Sequence, residues 1–273
     1  MNETLEILEV DGERIFTIQH FPQNDQPTKA YVFVHPFAEE KLWSHRVYVT
    51  TARAFCEQGM LVGRFDMRGH GDSDGNYQDA SLEKHLADVN TVIDHLKQKN
   101  PSISEIGLFG LRLGGTLATL TALAREDVSE LILWDPVLDG ERYMQEILRS
   151  NLAAQMAVKG KVEITREDLI GQMKSGQAVN IEGYYINYSY FQELSSIDLF
   201  AHDYPQRLKC CLFQVVRNPK QPLNKQYQKF IENFAGDAVI DKAQEDQFWK
   251  EIKSFYDKAD NLLKVSLQWL QNG

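Results

Sequence analysis

The chain of 273 residues is poor in cysteine, with three, and in proline, with eight. Cys56, Cys210 and Cys211 are odd in number, and the adjacent pair lies in an apolar run. They therefore predict buried free thiols in a reducing cytoplasm, not a disulfide framework. Their spacing offers no set of metal ligands, so neither a metal nor a cofactor is expected. Basic charge is also scarce: 29 Lys and Arg face 39 Asp and Glu, a net charge of −10. Such a surface repels phosphate backbones and argues against nucleic-acid binding. No run approaches the ~18 apolar residues that would span a bilayer, so no membrane insertion is expected. The opening MNETLEILEV lacks the basic and apolar regions of a signal peptide. Repeats and low-complexity tracts are missing too.

What is present is an alternation of short apolar runs and amphipathic stretches. Residues 5–10 and 14–21 read as two strands joined by the turn pair Asp11-Gly12. Residues 30–35, 61–65, 106–109 and 131–134 read as strands buried on both faces. Helices are expected at 42–59, 81–99 and 113–124. The second of these repeats Leu82, Leu86, Val89, Ile93 and Leu96 along one side. The pattern lapses over 140–203, where helical stretches (143–158, 166–173) surround an aromatic cluster of Tyr184, Tyr185, Tyr188, Tyr190 and Phe191. It resumes with a strand at 208–216, a helix at 226–234, a strand at 238–240 and a last helix carrying Leu263, Leu267 and Leu270. The series implies a mostly parallel sheet with helices on both faces. A body of 1–140 and 204–273 is expected to carry an inserted helical cap, 141–203.

The strand ending at Phe109 is followed by Gly110-Leu111-Arg112-Leu113-Gly114 and then a helix. Strand, G-x-S-x-G and helix together form the nucleophile elbow of the α/β-hydrolase fold, whose glycines allow a sharp, strained turn. The central residue here is Arg112, which is cationic at any working pH and cannot attack a carbonyl. In this fold the histidine follows the last strand, yet no histidine follows His202. The acid ordinarily follows the penultimate strand, and the segment there, Val216-Arg217-Asn218-Pro219-Lys220-Gln221-Pro222, holds no carboxylate. All three positions of a Ser-His-Asp triad are empty, so no catalytic residue is assigned.

Several segments resemble the hydrolase-like proteins associated with bacterial exosortase systems: His35-Pro36-Phe37-Ala38-Glu39-Glu40, Gly71-Asp72-Ser73, the arginine-centred elbow, and Leu133-Trp134-Asp135-Pro136-Val137 with Asp139-Gly140. Phe248-Trp249 and Gln268-Trp269-Leu270 match more loosely. The resemblance implies an α/β-hydrolase fold, an arginine native to the elbow, and a cytoplasmic accessory role beside exopolysaccharide and protein-sorting systems. It also implies that the backbone N–H groups of Phe37 and Leu113 form an anion hole.

Two arrangements of Arg112 follow. With the anion hole it would make a pocket for a small carboxylate or phosphate ligand, or for a protein partner. Alternatively, Glu39, Glu40 or Asp135 would pair with it, since an unpaired buried guanidinium is costly. His35 is the imidazole expected nearest the pocket, in a structural role. His70 is expected on a surface loop, His85 and His95 toward solvent, and Ser73 bonded to its own loop. The competing functional reading is an esterase or thioesterase in which His35 with Glu39 or Glu40 activates water.

Overall fold

The computed structural model describes residues 2–23, 26–181, 183–250 and 256–272. Its strands are β1 (Asn2–Val10), β2 (Glu13–Phe21), β3 (Lys29–Val34), β4 (Leu61–Phe65), β5 (Glu105–Leu111), β6 (Val128–Trp134), β7 (Val179–Ile181), β8 (Tyr184–Ile186), β9 (Lys209–Val216) and β10 (Ala238–Gln244). Among the described residues eight of them form one sheet, ordered β1-β2-β4-β3-β5-β6-β9-β10. The hairpin β1–β2 and the β2–β4 pair are antiparallel, and every other neighbour pair is parallel.

The continuous apolar runs arise because both faces of the sheet are covered. In β3, Ala30, Val32 and Val34 join one core while Tyr31 and Phe33 join the other. Strand β6 divides likewise, with Leu131 and Leu133 on one side and Ile132 and Trp134 on the other. This is the period-two alternation of a strand applied to central strands that are covered on both faces. The first core is closed by α2 (Leu82–Lys99) and α3 (Leu113–Ala124), the second by α1 (Ala38–Glu57) and α8 (Asp260–Asn272). In α8 the stripe sits slightly differently from expectation: Leu262 and Ser266 are fully buried, and Leu263, Leu267 and Leu270 flank them. Ser266 is buried because its Oγ accepts a hydrogen bond from Trp134 Nε1 at 2.9 Å.

Between β6 and β9 the chain leaves the sheet. It forms α4 (Gly140–Lys159), α5 (Arg166–Lys174), the small antiparallel hairpin β7–β8 and α6 (Tyr188–Ser195), before β9 and then α7 (Lys225–Glu232). The hairpin and α6 occupy the aromatic stretch that carried no periodic signal. Tyr143, Met144 and Leu148 of α4 and Tyr190 and Leu194 of α6 pack into the first core, so this helical layer shares its apolar interior with the body.

The turn from β5 into α3 is the tightest point of the fold. A Cβ on Gly110 would lie 2.4 Å from the Gly114 backbone, and one on Gly114 would lie 2.2 Å from Val34 O. Backbone atoms on both sides cannot yield, so these positions require glycine. Below the turn, the Tyr48 hydroxyl donates to Val34 O and accepts from Leu111 N–H, each at 2.9 Å. It joins the ends of β3 and β5 where they separate. Gly114→Ala is expected to cost about 3 kcal/mol in urea unfolding. Gly171→Ala, in α5 with nothing within 4 Å of its new methyl, is expected to gain up to ~1 kcal/mol.

Candidate functional site

Three adjacent strands, β3, β5 and β6, release the chain through residues of positive φ at or just past their ends. Ala38 has φ 46°, Arg112 52° and Asp135 44°. None is glycine, so each stores about 1–3 kcal/mol of strain. The three lie side by side above the sheet because their strands are neighbours. Arg112 has ψ −124° and stands just before the first turn of α3, as a nucleophile would stand in this turn.

The Arg112 side chain is 11% exposed and pairs inward. Its Nε donates to Glu40 Oε1 at 3.1 Å. Nη1 lies 3.8 Å from Asp135 Oδ2, and Nη2 lies 3.9 Å from Glu146 Oε2. The guanidinium carbon sits 5.4 Å from the Tyr143 ring centre and 5.8 Å from that of Trp249, an aromatic enclosure that favours a cation. Tyr143 Oη donates to Glu40 Oε2 at 2.9 Å, so both carboxylate oxygens of Glu40 are engaged. Burial alone would lower the Arg112 pKa, but the charges of Glu40 and Asp135 reverse this and raise it. Burial likewise pushes the carboxyls of Glu40 and Asp135 up, against the pull of the guanidinium.

Of the three carboxylates expected near Arg112, Glu40 and Asp135 meet it, whereas Glu39 lines the wall of a neighbouring cavity. Because Glu40 and Asp135 already match the guanidinium, it projects no unopposed positive charge. Of the two arrangements open to Arg112, its side chain makes the internal ion pair. His35 is held by backbone groups on both sides. Its Nδ1 lies 2.8 Å from Pro36 O and its Nε2 accepts from Met67 N–H at 3.1 Å. Both ring nitrogens are occupied, so it cannot activate water with Glu39 or Glu40.

His70 and His85 are not surface residues. They are 4% and 2% exposed; the His70 ring meets that of His35 edge-on with centres 4.8 Å apart, and that of His85 at a tilt, 5.4 Å away. Tyr190 Oη lies 3.0 Å from His85 Nδ1. His85 is buried because it continues the Val89, Val92 and Leu96 stripe of α2, one turn earlier. His95 is half-buried and pairs with Glu6. Ser73 behaves as expected: its Oγ donates to Asp66 O at 2.6 Å and accepts from Phe16 N–H at 2.9 Å. Phe37 and Leu113 line a small void of about 10 Å³ beside the histidines. The three thiols are free and buried.

Two cavities meet at Arg112. The larger, about 610 Å³, is lined by Phe37, Trp43, Ala153, Ala154, Ala157 and Trp249 among others. Tyr143, Glu146, Ile147, Ser150, Ala153, Ala154 and Ala157 supply one wall from a single face of α4, which turns from polar to apolar along its length. The smaller, about 230 Å³, is polar and lies between α4 and the segment after β9. Arg112, Tyr143 and Glu146 line both and so form the partition. None of the seven histidines lines either cavity. Tyr143, Glu146 and Trp249 were missed in the sequence. The i, i+3, i+4 recurrence along 143–157 marks one wall, and Trp249 follows the last strand, where a histidine would stand.

The family model described as serine aminopeptidase, S33, matches residues 25–186. Over 142 residues the chain is 32% identical to the mitochondrial palmitoyl-protein thioesterase ABHD10 of Rattus norvegicus. That match covers 51% of this chain and 42% of the relative, so the chain spans about two-fifths of the length of the curated relative it matches. Est1E of Butyrivibrio proteoclasticus, solved with ferulic acid, superposes with a TM-score of 0.70 at 17% identity and 98% coverage of both chains. Mouse alpha/beta hydrolase domain-containing protein 10 superposes at 0.63 and 15% identity, covering 98% of this chain and 99% of that one. These structures share the α/β-hydrolase fold with this chain. No helix among the described residues is long and apolar enough to cross a membrane.

Arg112→Met is expected to cost about 3–5 kcal/mol in urea unfolding, because Glu40 and Asp135 lose their counter-ion. Adding Glu40→Gln is expected to recover part of the loss, a coupling of about 1–3 kcal/mol in the double-mutant cycle. A second prediction concerns pH. Burial holds His35, His70 and His85 well below the ordinary imidazole value of 6.5. Their stabilisation is present above pH 6.5 and is lost as the pH falls, since the unfolded rings then bind protons that the folded ones refuse. Asp88, pushed up to about 6 by burial, works the other way between its folded and unfolded values. The individual effect is therefore read in a variant: His85→Gln should flatten the fall in stability between pH 6.5 and 5 by up to ~1.4 kcal/mol per pH unit.

Proposed function

We propose that this chain, which belongs to the serine aminopeptidase S33 family of α/β hydrolases, is a non-hydrolytic member that binds an apolar chain under its cap. The observation that carries this reading is the guanidinium of Arg112, fixed on the elbow and held by Glu40 at 3.1 Å, with no histidine lining either adjoining cavity. A serine-type acyl transfer needs a nucleophile and a base within hydrogen-bond reach, and neither is present there.

The larger cavity supports an elongated apolar ligand. Ala157 lies fourteen positions past Tyr143 on the lining face of α4, about 21 Å of helix at 1.5 Å per residue. Trp43, Trp249 and Phe37 face that wall. The volume of about 610 Å³ lies within the roughly 300–1,000 Å³ common for small-molecule sites. In this reading residues 141–203 act as the cap, and 1–140 with 204–273 as the body. The backbone N–H groups of Phe37 and Leu113 serve as a remnant anion hole, without a nucleophile to use it. The resemblance to exosortase-associated proteins supports a cytoplasmic accessory role, in which the chain holds a ligand or meets a partner protein and does not turn over a substrate.

Incubation with a fluorophosphonate probe and short acyl esters is expected to give no label and no saturable turnover. Arg112→Ser is expected to gain none, because no base accompanies the new hydroxyl. Turnover by the unaltered chain that disappears in Arg112→Ala would overturn the proposal. Binding is read by the emission of Trp43 and Trp249. Octanol and decanol should shift it saturably, and Ala154→Trp, which fills the groove, should abolish the shift.

A further inference from the structure

The polar cavity on the far side of Arg112 has a lining whose hydrogen-bonding groups are already oriented. Gln214 is only 5% exposed, and its Oε1 accepts from the backbone N–H of Asn224 at 2.7 Å. Asn224 Oδ1 in turn accepts from Gln226 N–H at 2.9 Å, and Gln226 Oε1 accepts from Arg142 Nη1 at 3.0 Å. An acceptor for an N–H must be the amide oxygen, which settles which end of each carboxamide is which. The three oxygens are committed, and the three NH₂ groups are left over. Among the described residues none of these nitrogens donates a hydrogen bond, although all three side chains line the cavity.

Carboxylates line the same space: Asp135, Asp139 and Glu146. Their charge is offset in part by Arg142 in the lining, by Lys250, whose Nζ lies 3.6 Å from Glu146, and by Arg112, which is shared with Glu40. The cleft thus carries both signs of charge, with donors on one side and acceptors on the other. A carboxylate or phosphate ligand would use the donors but be repelled by the acids. An ammonium would do the reverse. A carbonyl would leave the acids unused. A hydroxyl both accepts and donates, so a set of hydroxyls satisfies both sides. Tyr227, also in the lining, adds an aromatic surface.

We infer that this cleft is a subsite for the uncharged, hydroxyl-rich head group of an amphiphile whose chain lies in the apolar groove. The inference rests on the groove proposed above and specifies the ligand it takes. Arg112, Tyr143 and Glu146 border both spaces, so they flank the junction between head and chain. Glu146 and Arg142 are one helical turn apart on α4, and both face the head.

The test compares octyl glucoside below its micellar concentration with octanol and octanoate, using tryptophan emission and calorimetry on the full chain. Octyl glucoside is expected to bind about tenfold more tightly than octanol, the worth of one to three added hydrogen bonds, and octanoate no more tightly than octanol. Gln226→Ala, at an exposed position, and Gln214→Leu should each shrink the glucoside advantage while leaving octanol binding unchanged. Gln226→Ala keeps the test valid if the buried substitution disturbs folding. Equal affinity of glucoside and octanol for the unaltered chain, or tighter binding of octanoate, overturns the head-group subsite and leaves the groove standing. No tryptophan response to any of the three overturns the groove itself, and this inference with it.

Discussion

The close approach of backbone to backbone at the β5–α3 turn is the constraint from which the site follows. Gly110 and Gly114 let the turn close onto Val34, and that closure sets Arg112 at φ 52° above three strand ends. A guanidinium lifted into that position is largely out of water and must find carboxylates. Glu40 comes from the first turn of α1 and Asp135 from just past β6. Both are brought there by strands that flank β5 in the sheet. Tyr143 then locks Glu40 from above, and Trp249 closes the side. The ion pair is a product of sheet order, not of sequence proximity.

The parts of this arrangement legible in the sequence are those with a local signal. The glycines at 110 and 114 mark the elbow, and alternating apolar runs mark a sheet covered on both faces. Placing Glu40 and Asp135 near Arg112 required only that neighbouring strands end together. Aliphatic periodicity alone leaves His85 outside the apolar stripe of α2. Counted as a member, it extends the stripe through Val89, Val92 and Leu96, and its burial is then expected. Tyr143 and Trp249 lie 31 and 137 positions beyond the elbow. Their meeting over Arg112 depends on how α4 and the segment after β10 cross the sheet edge, which no local pattern encodes. The β7–β8 hairpin escaped notice because its strands span only three residues each.

Charge is handled consistently on several scales. The chain carries ten more acids than bases, yet its buried cations are paired individually. Arg68, 3% exposed, is held by Asp88 at 2.7 Å and by Asp11 and Glu13. Arg112 is treated in the same way with a different set of acids. Near the site this leaves two cavities of contrasting character on either side of one neutralised partition. The surplus of negative charge over the chain adds long-range repulsion between like-charged molecules.

The acid-lined socket around Arg112 has a consequence for how such a site changes over generations. Any single replacement of the arginine by a small nucleophile leaves Glu40 and Asp135 buried and mutually repelling, so the intermediate is unstable before it is useful. Replacing an acid first strands the arginine. A serine at position 112 would therefore need both acids changed with it, and no histidine follows β10 in the sequence. The two acids thus act as a lock on the position: a socket that only a cation satisfies constrains which side chain the turn can carry.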